Sequence, residues 1–173
     1  MCSVVYTTTD LMSACFEKNA EQFIKLYEIF KNPHNSQRAL IWCVRAGWKE
    51  MIYFLIFREK VSLHACKDIL ADAVVFNESR IVKYILKIGE YENPRHFPEI
   101  IDAVRIAEDN CKHEVAVLLM TFLLFFSTEG VLVEKYRFKM SDNLRAYMRQ
   151  KEYFLHTYSH RKTQHLQPVD VES

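Results

Sequence analysis

The hydrophobic positions of this chain fall in short clusters at helical spacing, and the clusters repeat. Four segments, 11–28, 39–56, 69–86 and 103–120, share one frame. In each, a small residue (Cys15, Cys43, Ala73, Ala107) precedes an apolar pair by eight positions. The pairs are Phe23-Ile24, Met51-Ile52, Ile81-Val82 and Val115-Ala116. One turn further on stand Tyr27, Leu55-Ile56, Ile85-Leu86 and Leu119-Met120. The small residue lets a first helix approach its neighbours closely. The pairs make the i, i+1, i+4 stripe of a second, longer helix. Four helix pairs are therefore predicted, with Leu55, Ile81, Ile85, Val115 and Leu119 in the core.

Four residues after each small residue stand Asn19, Gly47, Asn77 and Cys111. Gly and Asn tolerate a positive φ, so these positions predict the tight turn within each pair; after Asn110 the turn can shift by one. Loop chemistry separates the pairs: Lys31-Asn32-Pro33-His34-Asn35 and Tyr91-Glu92-Asn93-Pro94-Arg95 carry proline stops. Thr9 or Asp10, Ser36 and Ser141 are candidate N-caps. The pattern divides the chain into repeats over 1–126, a capping segment over 127–158 and a polar tail over 159–173. Within the cap, 142–158 reads as a helix, which covers the open end of the stack. Val131-Leu132-Val133 and Tyr136-Arg137-Phe138 fit a strand or a helix equally.

Composition narrows the classes. With three glycines and four prolines in 173 residues, the turns that a sandwich or barrel needs are missing. No GxGxxG or GxxxxGK[ST] phosphate loop occurs. The formal charge of +1 gives no overall pull toward nucleic acid or membrane. Five cysteines, an odd count without CxxC, predict free thiols in a reducing, cytoplasmic or nuclear setting. The opening MCSVVYTTTD lacks the basic and apolar regions of a secretory signal. Val115 to Phe126 is apolar almost throughout, but a spanning helix needs about 20 such residues, so a buried helix is predicted.

The second half of the repeat frame resembles the ankyrin repeat, A-x3-G-x3-[IV]-V-x2-LL. Residues 46–56 (AGWKEMIYFLI) and 77–86 (NESRIVKYIL) carry the resemblance, and the shared frame extends it over about 9–121. The family's TPLH opening is replaced by Leu11-Met12, Ala39-Leu40-Ile41, Ile69-Leu70-Ala71 and Ala103-Val104-Arg105. The resemblance therefore does not extend to the β-hairpin finger. Such eroded repeats look like those of large DNA-virus multigene families. What this implies is protein–protein interaction with a host signalling or innate-immune protein.

Candidate chemistry was weighed against plainer roles. Cys66 with His64, and Cys111 with His113, have the residue types of a nucleophile and base, but no nucleophile motif surrounds them. His156, His160 and His165 include an i, i+4 pair of metal-ligand type, which a solvated tail explains as well. Between Glu134 and Lys162, eight Lys/Arg against three acids interleave with aromatics. That is the pattern of a single-strand nucleic-acid binder or of a basic cap helix. Trp42 is assigned to the core. The concave face of a repeat stack places partner-binding residues at the turns: Arg45, Trp48, Lys49, Glu78, Glu108 and Lys112, with Trp48 either an exposed anchor or packed on the neighbouring unit. On the outer face of the second helices, Tyr53, Phe54, Tyr84, Val117 and Leu118 replace the usual polar residues. Something must cover such a ridge: the segment 122–158, a second copy or a target.

The sequence thus predicts an all-α solenoid of about four ankyrin-like helix pairs with a C-terminal cap. It predicts a non-enzymatic protein-binding module without cofactor or metal. Tyr53, Phe54, Tyr84 and Leu118 are its self-association residues in a homodimer. Nucleic-acid binding through the basic C-terminal segment is the alternative.

Overall fold

The computed structural model describes residues 6–66 and 68–126, with residue 146 alone beyond them. All regular structure among the described residues is helical. The helices are α1 (Thr8–Glu17), α2 (Ala20–Phe30), α3 (Pro33–Arg45), α4 (Lys49–Tyr53), α5 (Ile69–Phe76), α6 (Ser79–Ile88), α7 (Phe97–Asp109) and α8 (His113–Phe126). A π-turn, Phe54–Arg58, prolongs α4, and 3-10 turns at Leu63–Ala65 and Pro94–His96 sit in the links before α5 and α7.

Each helix packs on its sequence partner: α1 on α2, α3 on α4, α5 on α6 and α7 on α8. The first helices also pack on one another in chain order, α1 on α3, α3 on α5 and α5 on α7, and α6 packs on α8. Small residues make this row close. Cys15, Cys43, Ala73 and Ala107 are fully buried, and the Cys43 thiol donates to Cys15 Sγ at 3.8 Å. Burial pushes the Cys43 thiol well up, so it stays protonated. Cys15, Cys43, Cys66 and Cys111 are free thiols.

The predicted stripe is largely the core. Leu55, Ile85 and Leu119 are fully buried and Val115 nearly so. Ile81 is an exception and is only partly buried. Ile56 is likewise only partly buried, and Ile24 is 43% exposed. Trp42 is in the core, as expected.

The helix starts differ from the predicted caps. Thr7, not Thr9 or Asp10, caps α1: its backbone N–H donates to Asp10 Oδ2 at 2.6 Å while Asp10 N–H reaches Thr7 Oγ1, a reciprocal box. Asn32, not Ser36, caps α3, because Pro33 is preorganised for the first helical position. Ser36 lies inside α3, buried, with its hydroxyl 2.8 Å from Tyr27 Oη. Ser141, the 131–138 segment and the 142–158 cap helix lie outside the described residues.

Candidate functional site: the turn face

The turns inside the four pairs line up because the first helices do. Gly47 adopts φ +64°, as the repeat frame predicts. In the first and third turns the frame needs correction, while the fourth follows it. In the first turn Lys18 takes the left-handed conformation (φ 54°), and Asn19 (φ −86°) instead caps α2 by accepting from Gln22 N–H. Asn77 is extended (φ −125°). In the fourth turn Cys111 itself is left-handed (φ 56°). Asn at a turn serves equally as a cap or a side-chain donor, so residue type alone does not fix which member of the turn has positive φ.

Side chains join each turn to the next. Lys18 Nζ donates to the Gly47 carbonyl at 3.5 Å, and Asn77 Nδ2 donates to the Val44 carbonyl at 2.6 Å. Lys112 Nζ donates to the carbonyls of Val75 (2.7 Å) and Asn77 (3.0 Å). These acceptors are carbonyls at the helix ends and in the turns, beyond the reach of regular α-helical bonding. A cleft of about 470 Å³ opens between the third and fourth turns, lined by Asn77, Glu78, Ser79, Lys112, His113 and Glu114.

Of the residues assigned to the partner, Trp48 takes the other of its two expected places, packed on the neighbouring pair, and is no exposed anchor. It is buried, with its ring edge-on to Phe23 at 5.7 Å. The preceding pair supplies an apolar wall at that point, and an indole gains more there than in water. Arg45 is committed to the fold: Nε and Nη2 reach Asp72 Oδ1 at 3.0 and 2.9 Å, and the guanidinium lies 5.2 Å over Phe76. Lys49 is exposed and lies 4.9 Å over the Tyr84 ring, away from the cleft. Glu78 is exposed and lines the cleft with half-buried Lys112, which also ties the turns. Glu108 is half-buried near the end of α7.

Three residues that the pattern did not single out dominate this face: Phe16 (49% exposed), Val75 and Phe76 (54%). All end first helices, just before the turns. The signal was present, because Val75 and Phe76 follow the buried Val74 and lie too far round the helix to share its face.

On the outer face, Tyr53 is exposed and meets Phe57 in a tilted pair with ring centroids 4.5 Å apart. Phe54 is half-buried, edge-on to Tyr27 at 6.2 Å and under Arg58. Tyr84, Val117 and Leu118 are half-buried, and the buried Tyr84 hydroxyl finds no hydrogen-bond partner among the described residues. So the ridge is partly covered by its own helices. Phe125 projects beyond it, 75% exposed.

Cys66 and His64 are not assembled as nucleophile and base, while exposed Cys111 lines the turn cleft with His113. Cys66 is buried, bonds toward the carbonyls of Gln37 and Ser62, and is pushed up to about 11 by burial, which leaves little thiolate. His64 instead meets Gly89, Tyr91 and His96. His156, His160, His165 and the basic segment 134–162 lie outside the described residues. Among the described residues, no helix is long and apolar enough to cross a membrane.

The class that fold and site define is thus an all-helical protein of packed helix pairs whose turns form one continuous face. No family model, curated protein or solved structure matches the chain.

Proposed function

We propose that the chain is a solenoid of four ankyrin-like helix pairs that binds another protein along its turn face, without catalysis. One observation carries this reading. Phe16, Val75 and Phe76 stand exposed at the ends of first helices, above turns cross-tied by Lys18, Asn77 and Lys112. Apolar anchors on a rigid support lose little entropy on binding, and aromatic side chains are enriched among binding hot spots. Arg45, on the intervening helix, supplies a guanidinium beside Phe76. The sequence resemblance extends the proposal to its setting: a viral factor in the cytoplasm or nucleus that modulates a host signalling or innate-immune protein.

The test is quantitative capture of partners from cell lysate by the full chain, compared with Phe16→Ser and Phe76→Ser. Both residues are exposed, so their variants are expected to keep the helical circular dichroism. The reading expects loss of at least about tenfold in capture, or about 1.4 kcal/mol, typical of an interface anchor. Undiminished capture by both variants contradicts it. Capture that instead collapses with salt and follows added single-stranded nucleic acid supports the basic C-terminal segment as the binding element.

The outer face favours self-association as a second reading, because Tyr53 and Phe57 form an exposed aromatic pair. Light scattering is expected to show a dimer that Tyr53→Ser with Phe57→Ser dissociates. A monomer at all concentrations removes that reading and leaves the first intact.

A further inference from the structure

We propose that His64, His96 and Glu99 form a binding site for one divalent ion of the zinc class, joining the two links that flank the third helix pair. This goes beyond the protein-binding reading and does not depend on it. The three residues come from separate places. His64 lies in the 3-10 turn Leu63–Ala65, His96 ends the turn Pro94–His96, and Glu99 is in the first turn of α7. One ligand atom from each lies within 4.8 Å of the others. The imidazoles stack at 4.0 Å with 11° between planes.

Two imidazoles and one carboxylate are a donor set that zinc-class ions take, leaving a coordination position for water or a further ligand. Hard ions such as magnesium and calcium prefer all-oxygen sites. Zinc–nitrogen and zinc–oxygen bonds of about 2.0–2.2 Å put tetrahedral ligand atoms about 3.4 Å apart. The cluster must therefore tighten by up to about 1.4 Å, and the exposed His64 ring, held by its Gly89 bond, shifts with its 3-10 turn.

The surroundings are built as an outer shell. His64 Nε2 lies 2.6 Å from the Gly89 carbonyl, which only accepts. Nε2 therefore carries the proton, and the Nδ1 lone pair is left for a ligand bond. Tyr91 Oη donates to Glu99 Oε1 at 2.9 Å and leaves Oε2 directed to His96 Nδ1 at 3.6 Å. Tyr91 is fully buried, and burial with Glu99 alongside pushes its phenol far up, so it stays a donor. Gly89 is required for this approach. A Cβ there would meet Leu63 Cδ2 and Tyr91 Cε2, both at 2.5 Å.

One contact opposes the ion. Arg95 Nε donates to His96 Nε2 at 2.9 Å, which places the imidazole proton on Nδ1, facing Glu99. When an ion binds at Nδ1 that proton moves to Nε2, and exposed Arg95 swings away. No net proton leaves the ring.

The experiment is titration of zinc chloride into the chelator-treated full chain by calorimetry. Cobalt chloride serves as a spectroscopic probe, and thermal unfolding is recorded with and without zinc. The expected result is one saturable equivalent, visible cobalt bands that zinc displaces, and a raised unfolding temperature. His64→Gln with His96→Gln should remove this equivalent, and Glu99→Gln, which keeps an acceptor for Tyr91, should weaken it at least about 100-fold. Tyr91→Phe should weaken it about 10-fold through the carboxylate. Arg95→Ala should strengthen it. Absence of one-to-one uptake overturns the proposal. So does uptake that survives the double histidine variant with normal circular dichroism, because the ion then sits elsewhere, for instance at His156 and His160.

Discussion

At the turn end of the helix pairs, neighbouring units are joined by side chains that donate to backbone carbonyls: Lys18 to Gly47, Asn77 to Val44, and Lys112 to Val75 and Asn77. At the link end they are joined mainly by side chains meeting side chains. Lys31 pairs with Glu59, while His64, Tyr91, His96 and Glu99 form one cluster. Backbone carbonyls do not titrate and stay in place whatever the residue. The turn end, to which the Arg45–Asp72 pair adds one ionic tie, is therefore a rigid edge that can carry exposed anchors. The link end depends on residue identity and on the protonation of imidazoles, so it can answer to pH or an ion.

The comparison can be broken most severely at Gly47. Its φ of +64° disfavours any side chain, and a Cβ would meet Asn77 Oδ1 at 2.5 Å, displacing the amide that bonds Val44. Gly47→Ala is expected to cost about 2–4 kcal/mol in denaturant unfolding, from backbone strain plus a lost buried bond. Adding Asn77→Ala should cost less than its effect alone, because the clash is already relieved. At the link end, Tyr91→Phe leaves Glu99 without its buried donor and is expected to cost about 1 kcal/mol.

The pH response near neutrality belongs to the link end. The His96 pKa is lowered from 6.5 on folding, mainly by burial, then by His64 and Arg95, while Glu99 opposes. The unfolded chain then binds the proton more readily, so stability falls as pH drops below about 6.5. His96→Gln should flatten that fall, whereas Asn77→Ala should leave its slope unchanged. The smallest expected difference lies within the turn end. Lys112→Met should cost about 1 kcal/mol, having two short bonds, and Lys18→Met under about 0.5 kcal/mol, its one bond being long and exposed.

Much of the fold was legible in the sequence because close packing of first helices demands small residues at Cys15, Cys43, Ala73 and Ala107. A stripe of fixed spacing then follows. Trp48 was not legible: its burial depends on Phe23, which another helix pair contributes. The turn register was partly legible, since glycine has one reason to stand at Gly47 while Asn19 and Asn77 have several. The link-end cluster was hidden. His64 and His96 are 32 positions apart in two irregular links, and no local spacing connects them to Glu99 and Tyr91. Val75 and Phe76 are as apolar as the buried Val74 beside them, so hydrophobicity alone does not mark them as exposed.

The most direct test of the account places a photo-crosslinking phenylalanine analogue at Phe76 on the turn face, or at Ile29, which is 56% exposed on α2. Each full-length variant is irradiated in cell lysate. The account predicts a discrete protein adduct from position 76, competed away by excess unlabelled chain, and none from position 29. Adducts from position 29 alone, or none from position 76 while unlabelled chain still captures a partner, would contradict binding through the turn face.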